Sequence, residues 1–200
     1  MDSSKNLLII DGPSAVGKST IVNYILDNKN EDFEIARRVT TRNKRKSTED
    51  DQTYDFIDQE SFREMIEKNE LVEYKDYLFG MSYGLPEKNV LKCFKNKKHA
   101  VGIINLGNIK MVKKMFPAAF GVFINTSLET IKRRLEERTI HSAEQINERL
   151  ENARAANKVL GDYDLVIINE NKTVQETVSE ILQGFYEHNK KNKIIMPNDL

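Results

Sequence analysis

Gly12-Pro13-Ser14-Ala15-Val16-Gly17-Lys18-Ser19-Thr20 reads G-x-x-x-x-G-K-S and follows directly on the apolar run Leu7-Leu8-Ile9-Ile10-Asp11. A strand, a glycine-bounded turn and a helix in that order make a phosphate-binding loop. A polyphosphate crowds several negative charges together. Its site therefore needs converging backbone N–H groups and the positive end of a helix, and this arrangement supplies both. Gly12 and Gly17 permit the turn, and Pro13, Ser14, Ala15 and Val16 provide the backbone between them. Lys18 is placed to reach the β- and γ-phosphates, and the Ser19 hydroxyl to ligate the Mg²⁺ that bridges them. Thr20 is expected to seat the helix. Leu7 to Ile10 is an unbroken apolar run, as in a strand covered on both faces, and Ile21, Val22, Ile25 and Leu26 fall at helical spacing. The loop thus has its required context, and the reading is nucleotide binding.

Working outward, 200 residues fit one α/β domain with small inserted subdomains. Lys plus Arg and Asp plus Glu number 31 each, so overall charge favours neither a nucleic acid nor a membrane as partner. No apolar run approaches the ~20 residues that cross a bilayer. The first residues lack a signal-peptide pattern and Cys93 is the sole cysteine, which predicts a cytoplasmic setting. Cys93 lies at helical spacing with Val90, Leu91 and Phe94, so it is expected to be a buried helix residue without chemistry.

Phe33 to Ala36 reads as a second strand. Residues 38–84 combine short β-type runs (Tyr54 to Ile57, Leu71 to Tyr74), a helix carrying Phe62, Met65 and Ile66, and a turn with Gly80 and Gly84. This is a small β-rich insertion. Pro86 is expected in the first turn of the next helix. Ala100 to Asn105 and Ala119 to Asn125 are strands separated by a helix carrying Ile109, Val112 and Phe116, and this alternation predicts a parallel sheet flanked by helices. Leu128, Ile131 and Leu135 mark another helix. Ser142-x-x-Gln145 and Thr173-x-x-Glu176 are capping boxes that open helices on either side of a last strand, Asp164 to Asn169. Residues 187–200 are polar and are expected to fray.

The chain resembles the guanylate kinase family of nucleoside monophosphate kinases from about Leu7 to Phe185. The resemblance rests on GPSAVGKST, VTTRNKR, TYDFI, LVEY with SYG, RLEER…INERL and VIIN, in the family's order. It implies a single domain: a core over 5–37, 85–133 and 150–186, an acceptor-binding subdomain at about 38–84, a lid at about 134–149 and a tail at 187–200. It implies ATP and Mg²⁺, with small-molecule nucleotides as partners. By the same resemblance Arg42 and Arg45 grip the acceptor's monophosphate, with Tyr54 and Tyr83 donating hydroxyl hydrogen bonds to it. Planar guanidinium forks suit phosphate oxygens. Arg134, Arg138 and Arg149 match lid arginines that close over the transferred phosphate, and Asn169 matches the contact to the donor's adenine.

Two departures bear on substrate and metal. The family reads guanine with a small hydroxyl residue, a glutamate and an aspartate; here these positions hold Arg38, Glu73 and Asn105. Arg38 can donate to O6 while Glu73 and Asn105 accept from guanine N–H groups, or Arg38 can pair with Glu73 or with a phosphate. The family's Asp-x-Asp pair is replaced by Ile103 and Asn105, while Asp11 stands before the loop where a small hydroxyl residue is common. Asp11 either supports the metal from its outer shell, acts near the acceptor phosphate, or caps the loop backbone. The expected reaction is GMP + ATP to GDP + ADP. The alternatives are another phosphorylated acceptor, such as a ribose bisphosphate, or a non-catalytic binding module, against which the intact Lys18-Ser19 loop and the arginines count.

Overall fold

A computed structural model describes residues 5–44, 53–77, 80–104, 106, 108–137 and 142–195. In chain order the first half contains β1 (Leu7–Asp11), α1 (Lys18–Asn28), β2 (Phe33–Ile35), β3 (Arg38–Thr40), β4 (Tyr54–Phe56), α2 (Gln59–Glu67), β5 (Leu71–Asp76), β6 (Ser82–Pro86) and α3 (Glu87–Lys95). The second half contains β7 (His99–Ile103), α4 (Ile109–Met115), β8 (Phe120–Asn125), α5 (Leu128–Glu137), α6 (Ala143–Ala156), β9 (Leu165–Ile168) and α7 (Val174–Ile195).

The main sheet has five parallel strands in the order β2-β7-β1-β8-β9, so the strand that feeds the phosphate loop is central. Alternate residues of β1 enter different cores. Leu8 and Ile10 pack with Ile21, Val22 and Ile25 of α1 and Ile181 and Phe185 of α7. Leu7 and Ile9 pack with Val90 and Cys93 of α3 and Ile109 and Val112 of α4. Two apolar layers on a strand of period two explain the unbroken apolar run. β9, at the sheet's edge, is covered on one side only: Val166 and Ile168 are 37% and 54% exposed.

The second sheet, β4-β3-β6-β5, is mixed, with β3 parallel to β4 and antiparallel to β6. It has its own small core of Val39, Phe62 and Leu71. Both capping boxes form. Ser142 N donates to Gln145 Oε1 and Gln145 N to Ser142 Oγ, while Thr173 N donates to Glu176 Oε2 and Glu176 N to Thr173 Oγ1.

Three local expectations are corrected. Pro86 ends β6 in extended conformation and caps α3 rather than lying in its first turn. Asn157, at helical spacing with Ile146, Leu150 and Ala153, does not continue α6 but opens a 3₁₀ helix over Asn157–Asp162 that leads to buried Tyr163. The polar segment after Glu187 continues α7 to Ile195 instead of fraying. It is tied back where Asn6 Nδ2 donates to Asn189 Oδ1 (2.7 Å) and the His188 ring lies 5.1 Å from Phe120. Among the described residues no helix is long and apolar enough to cross a membrane. Cys93 is buried, and burial pushes its thiol up to about 12, as expected of an unreactive core residue.

Thr173→Ala removes one half of the reciprocal cap on α7. It is expected to lower stability by ~1 kcal/mol, a fall in Tm of ~2–4 °C for a chain of this size, read by thermal unfolding.

Candidate active site

Gly12 and Gly17 adopt φ of +143° and +101°, in the left-handed region that favours glycine. A Cβ at Gly12 would lie 2.1 Å from the Ile124 carbonyl oxygen of β8, so the loop leaves the sheet by a route open to glycine alone. Ala15 is also left-handed at φ 63°, a strained conformation for a residue with a side chain.

That strain is held by side chains arriving from several elements. Lys18 Nζ donates to the carbonyls of Gly12 (2.5 Å) and Pro13 (2.7 Å), Arg134 Nη1 of α5 to that of Ala15 (3.0 Å), and Asn169 Nδ2 to that of Val16 (3.1 Å). Arg149 Nη1 of α6 donates to Ser14 Oγ at 2.6 Å. With the carbonyls bonded to side chains, the loop can offer its N–H groups to an anion. Thr20, expected to seat the helix, is instead exposed and borders the clefts on both sides of the loop.

Asp11 is fully buried. Its Oδ1 accepts from Gly12 N at 2.6 Å and its Oδ2 accepts from the Tyr163 hydroxyl. Among the expected roles this geometry supports the backbone cap. Among the described residues no group of three or more His, Cys, Asp or Glu could hold a metal ion. Ser19 faces the cleft beside Lys18.

On one side of the loop, Ala15, Gly17, Thr20, Arg134 and Asn169 line a cleft toward α7. On the other, Ser14, Lys18, Ser19 and Arg149 face Arg42, Tyr54, Tyr77 and Tyr83 across a cleft that encloses about 910 Å³ up to open solvent. Arg42 is only 8% exposed, and its guanidinium carbon lies 5.3 Å from the Tyr54 ring centroid and 5.0 Å from that of Phe56. Tyr83 meets Tyr54 and Tyr77 edge to face, at 5.8 and 5.6 Å. Burial pushes the Tyr77 phenol far up, so it stays protonated as a donor.

Of the arrangements open to Arg38, the structure has the pair with Glu73, at 2.5 Å with the two residues 1% and 0% exposed. The other Glu73 oxygen accepts from Asn108 Nδ2 at 3.0 Å. Burial works against the Arg38 charge, but Glu73, with Tyr54 and Tyr77 nearby, outweighs it and holds the guanidinium's pKa above its ordinary value. Burial also pushes the Glu73 carboxyl up, against the pull of Arg38 and the Asn108 amide. Three expected site residues, Arg45, Asn105 and Arg138, lie outside the described residues.

Sequence reading missed Asn108, Tyr77 and Tyr163. Asn108 precedes α4 and reads as a helix cap, yet its side chain makes no cap bond and goes to Glu73 and the Tyr74 carbonyl instead. No local spacing signals the other two.

A central parallel strand, a glycine-bounded anion loop and arginines converging from separate helices define a phosphate-loop nucleotide-binding protein. The family model for guanylate kinase matches residues 4–188, and the chain belongs to the guanylate kinase family. It is 35% identical over 189 residues to a guanylate kinase of Prochlorococcus marinus subsp. pastoris, covering 92% of this chain and 98% of that one. It is 36% identical over 171 residues to one of Helicobacter pylori, covering 85% and 82%. The crystal structure of guanylate kinase from Anaplasma phagocytophilum has the same fold, with a TM-score of 0.71 at 24% identity over 94% of this chain and 88% of that one.

Tyr163→Phe removes the hydroxyl donor to the buried Asp11 carboxylate. It is expected to lower stability by ~1.5–3 kcal/mol, the range for hydrogen bonds to charged groups. A urea midpoint equal to that of the parent protein would show that Tyr163 does not brace the loop.

Proposed function

We propose that the protein transfers the γ-phosphoryl group of ATP to GMP, forming ADP and GDP. The observation that carries this reading is the phosphate loop standing as a wall between two clefts, with Arg134 and Asn169 on one side and Arg42, Arg149 and three tyrosines on the other. Phosphoryl transfer requires two polyanions held end to end, and catalysis is mainly positioning and charge neutralisation. The name shared by the relatives, guanylate kinase, supports GMP as the acceptor.

In this reading the donor's adenine lies on the Asn169 side and its phosphates lie on the loop's N–H groups. Lys18 turns from the Gly12 and Pro13 carbonyls to the β- and γ-phosphates. Arg42, with Arg45, grips the acceptor monophosphate, and Tyr54 and Tyr83 donate hydroxyl hydrogen bonds to it. An oxygen of that already anionic phosphate attacks the γ-phosphorus. The bond to the β–γ bridging oxygen breaks, and its electron pair leaves with ADP, so no strong base is needed. Arg134 and Arg149, on the helical pair read as the lid, neutralise charge on the transferring group together with Arg138 and exclude water.

The donor set fits Mg²⁺. Ser19 presents one hydroxyl oxygen to the cleft, and this ion is commonly held by few protein ligands together with substrate phosphates and water. Ser19 would hold the ion, which supplies charge neutralisation on the phosphates when bound. Asp11 keeps the loop turn in shape beside it.

The expected outcome is GMP-dependent ADP release from ATP and Mg²⁺, abolished by chelation without unfolding. Arg149→Met is expected to lower kcat by ~10²–10³, as when a positioned transition-state donor is removed. The test is a coupled ADP assay on the purified protein, and ADP release that does not depend on GMP overturns the reading.

A further inference from the structure

Tyr77 and Met81 face each other where β5 and β6 are joined, and this end of the hairpin is tied in place. Tyr77 N donates to the Met81 carbonyl (2.9 Å) and Gly80 N to that of Tyr77 (3.0 Å), with Gly80 in the left-handed region at φ 71°. Gln59 Nε2 of α2 donates to the Gly80 carbonyl at 2.5 Å and to Thr41 Oγ1 at 3.0 Å, and Ser82 Oγ donates to Asp76 Oδ1 at 2.6 Å. The Tyr77 ring is held as well, edge to face with Tyr83 at 5.6 Å and with Lys75 Nζ 5.4 Å from its centroid. Its hydroxyl has no hydrogen-bond partner among the described residues. Polar atoms set in a folded protein are nearly always paired, and an exception on an anchored side chain points to a partner that arrives from outside.

Tyr77 lines the large cleft with Tyr54 and Tyr83, and it also lines a smaller recess against the phosphate loop together with Gly12, Ser14, Lys18, Arg149 and Asn152. Burial dominates its phenol and keeps it protonated, against the pull of Arg38 and Arg149 and with the help of Tyr83 and Asp11. Arg149 and Asp11 both bond to the loop, so the phenol is within electrostatic reach of the loop itself. We infer that Tyr77 is a further catalytic residue, whose hydroxyl donates a hydrogen bond to an equatorial oxygen of the phosphoryl group as it passes from donor to acceptor. This rests on the proposed reading of the protein as a GMP kinase.

Lys18, Arg149 and the Tyr77 hydroxyl gather donors around one space, and an anion with several oxygens is the partner that such a set fits. In the proposed reaction the new bond joins an acceptor-phosphate oxygen to the γ-phosphorus while the bond to the β–γ bridging oxygen breaks and its electron pair leaves with ADP. Tyr77 keeps its proton through that step and acts only as a hydrogen-bond donor. In a loose transition state the charge lies over the three equatorial oxygens, and a donor fixed on an anchored hairpin meets it without reorganising at the moment of reaction.

The test is steady-state kinetics of Tyr77→Phe with GMP, ATP and Mg²⁺, beside GMP affinity by calorimetry and thermal unfolding. The substitution keeps the ring and its contacts with Tyr83 and Lys75 and removes the hydroxyl alone. kcat is expected to fall ~10–100-fold, the range for one hydrogen bond to a charged group. KM for both substrates, the Kd for GMP and Tm are expected to stay at their parent values, the pattern of an interaction made only in the transition state. Parent-level kcat overturns the inference, whether or not KM and Kd for GMP rise, and leaves the GMP kinase reading standing. A fall in kcat that comes with a fall in Tm marks a structural role and overturns the inference in the same way. A parent protein that releases no ADP in response to GMP overturns both.

Discussion

The Gly12 to Gly17 backbone turns through conformations that side chains disfavour, and it stays there because the carbonyls of Gly12, Pro13, Ala15 and Val16 accept from Lys18, Arg134 and Asn169. These donors come from α1, α5 and the segment after β9. A loop held in this way has its N–H groups available for phosphate and its strain distributed over several elements. The central position of β1 follows from the same requirement. Flanked by β7 and β8 and covered on both faces, it is a fully buried base for the turn. Asp11 extends this support by joining the Gly12 amide to Tyr163 at the end of the 3₁₀ helix.

The helices α5 and α6 are also linked to the loop. Arg134 and Arg149 lie on α5 and α6, which pack against each other, and both bond to the loop directly. Each is also within reach of a cleft beside the loop. Charged groups that hold the loop in one state can exchange one set of acceptors for another when an anion enters the adjoining cleft.

The smaller sheet depends on a different constraint. A buried Arg38–Glu73 pair contributes little net stability, because desolvating both charges offsets most of their attraction, but removing one partner leaves a costly unpaired charge. Such pairs specify geometry more than they stabilise it. Here the pair and Asn108 tie the smaller sheet to the start of α4. The orientation of Arg38 against the tyrosines follows from that anchoring.

Features set by neighbours in the chain were determined by the sequence itself: the loop from its glycine and lysine spacing, the strands and helices from apolar periodicity, and the starts of α6 and α7 from capping boxes. These depend on backbone sterics and on side chains a few residues apart. The end of α7 was misread because its polar surface hides the Asn189 and His188 contacts that hold it down. The family motifs singled out Arg42, Arg149, Tyr54 and Tyr83, which line one cleft, and Asn169, which bonds to the loop. Tertiary structure alone decided which donor meets which acceptor. Asp11 and Tyr163 are 152 positions apart, and Arg38 and Asn108 each lie 35 from Glu73. Local spacing carries no information about such pairings, because they arise when packed elements bring polar groups out of water and each must find a partner in the fold.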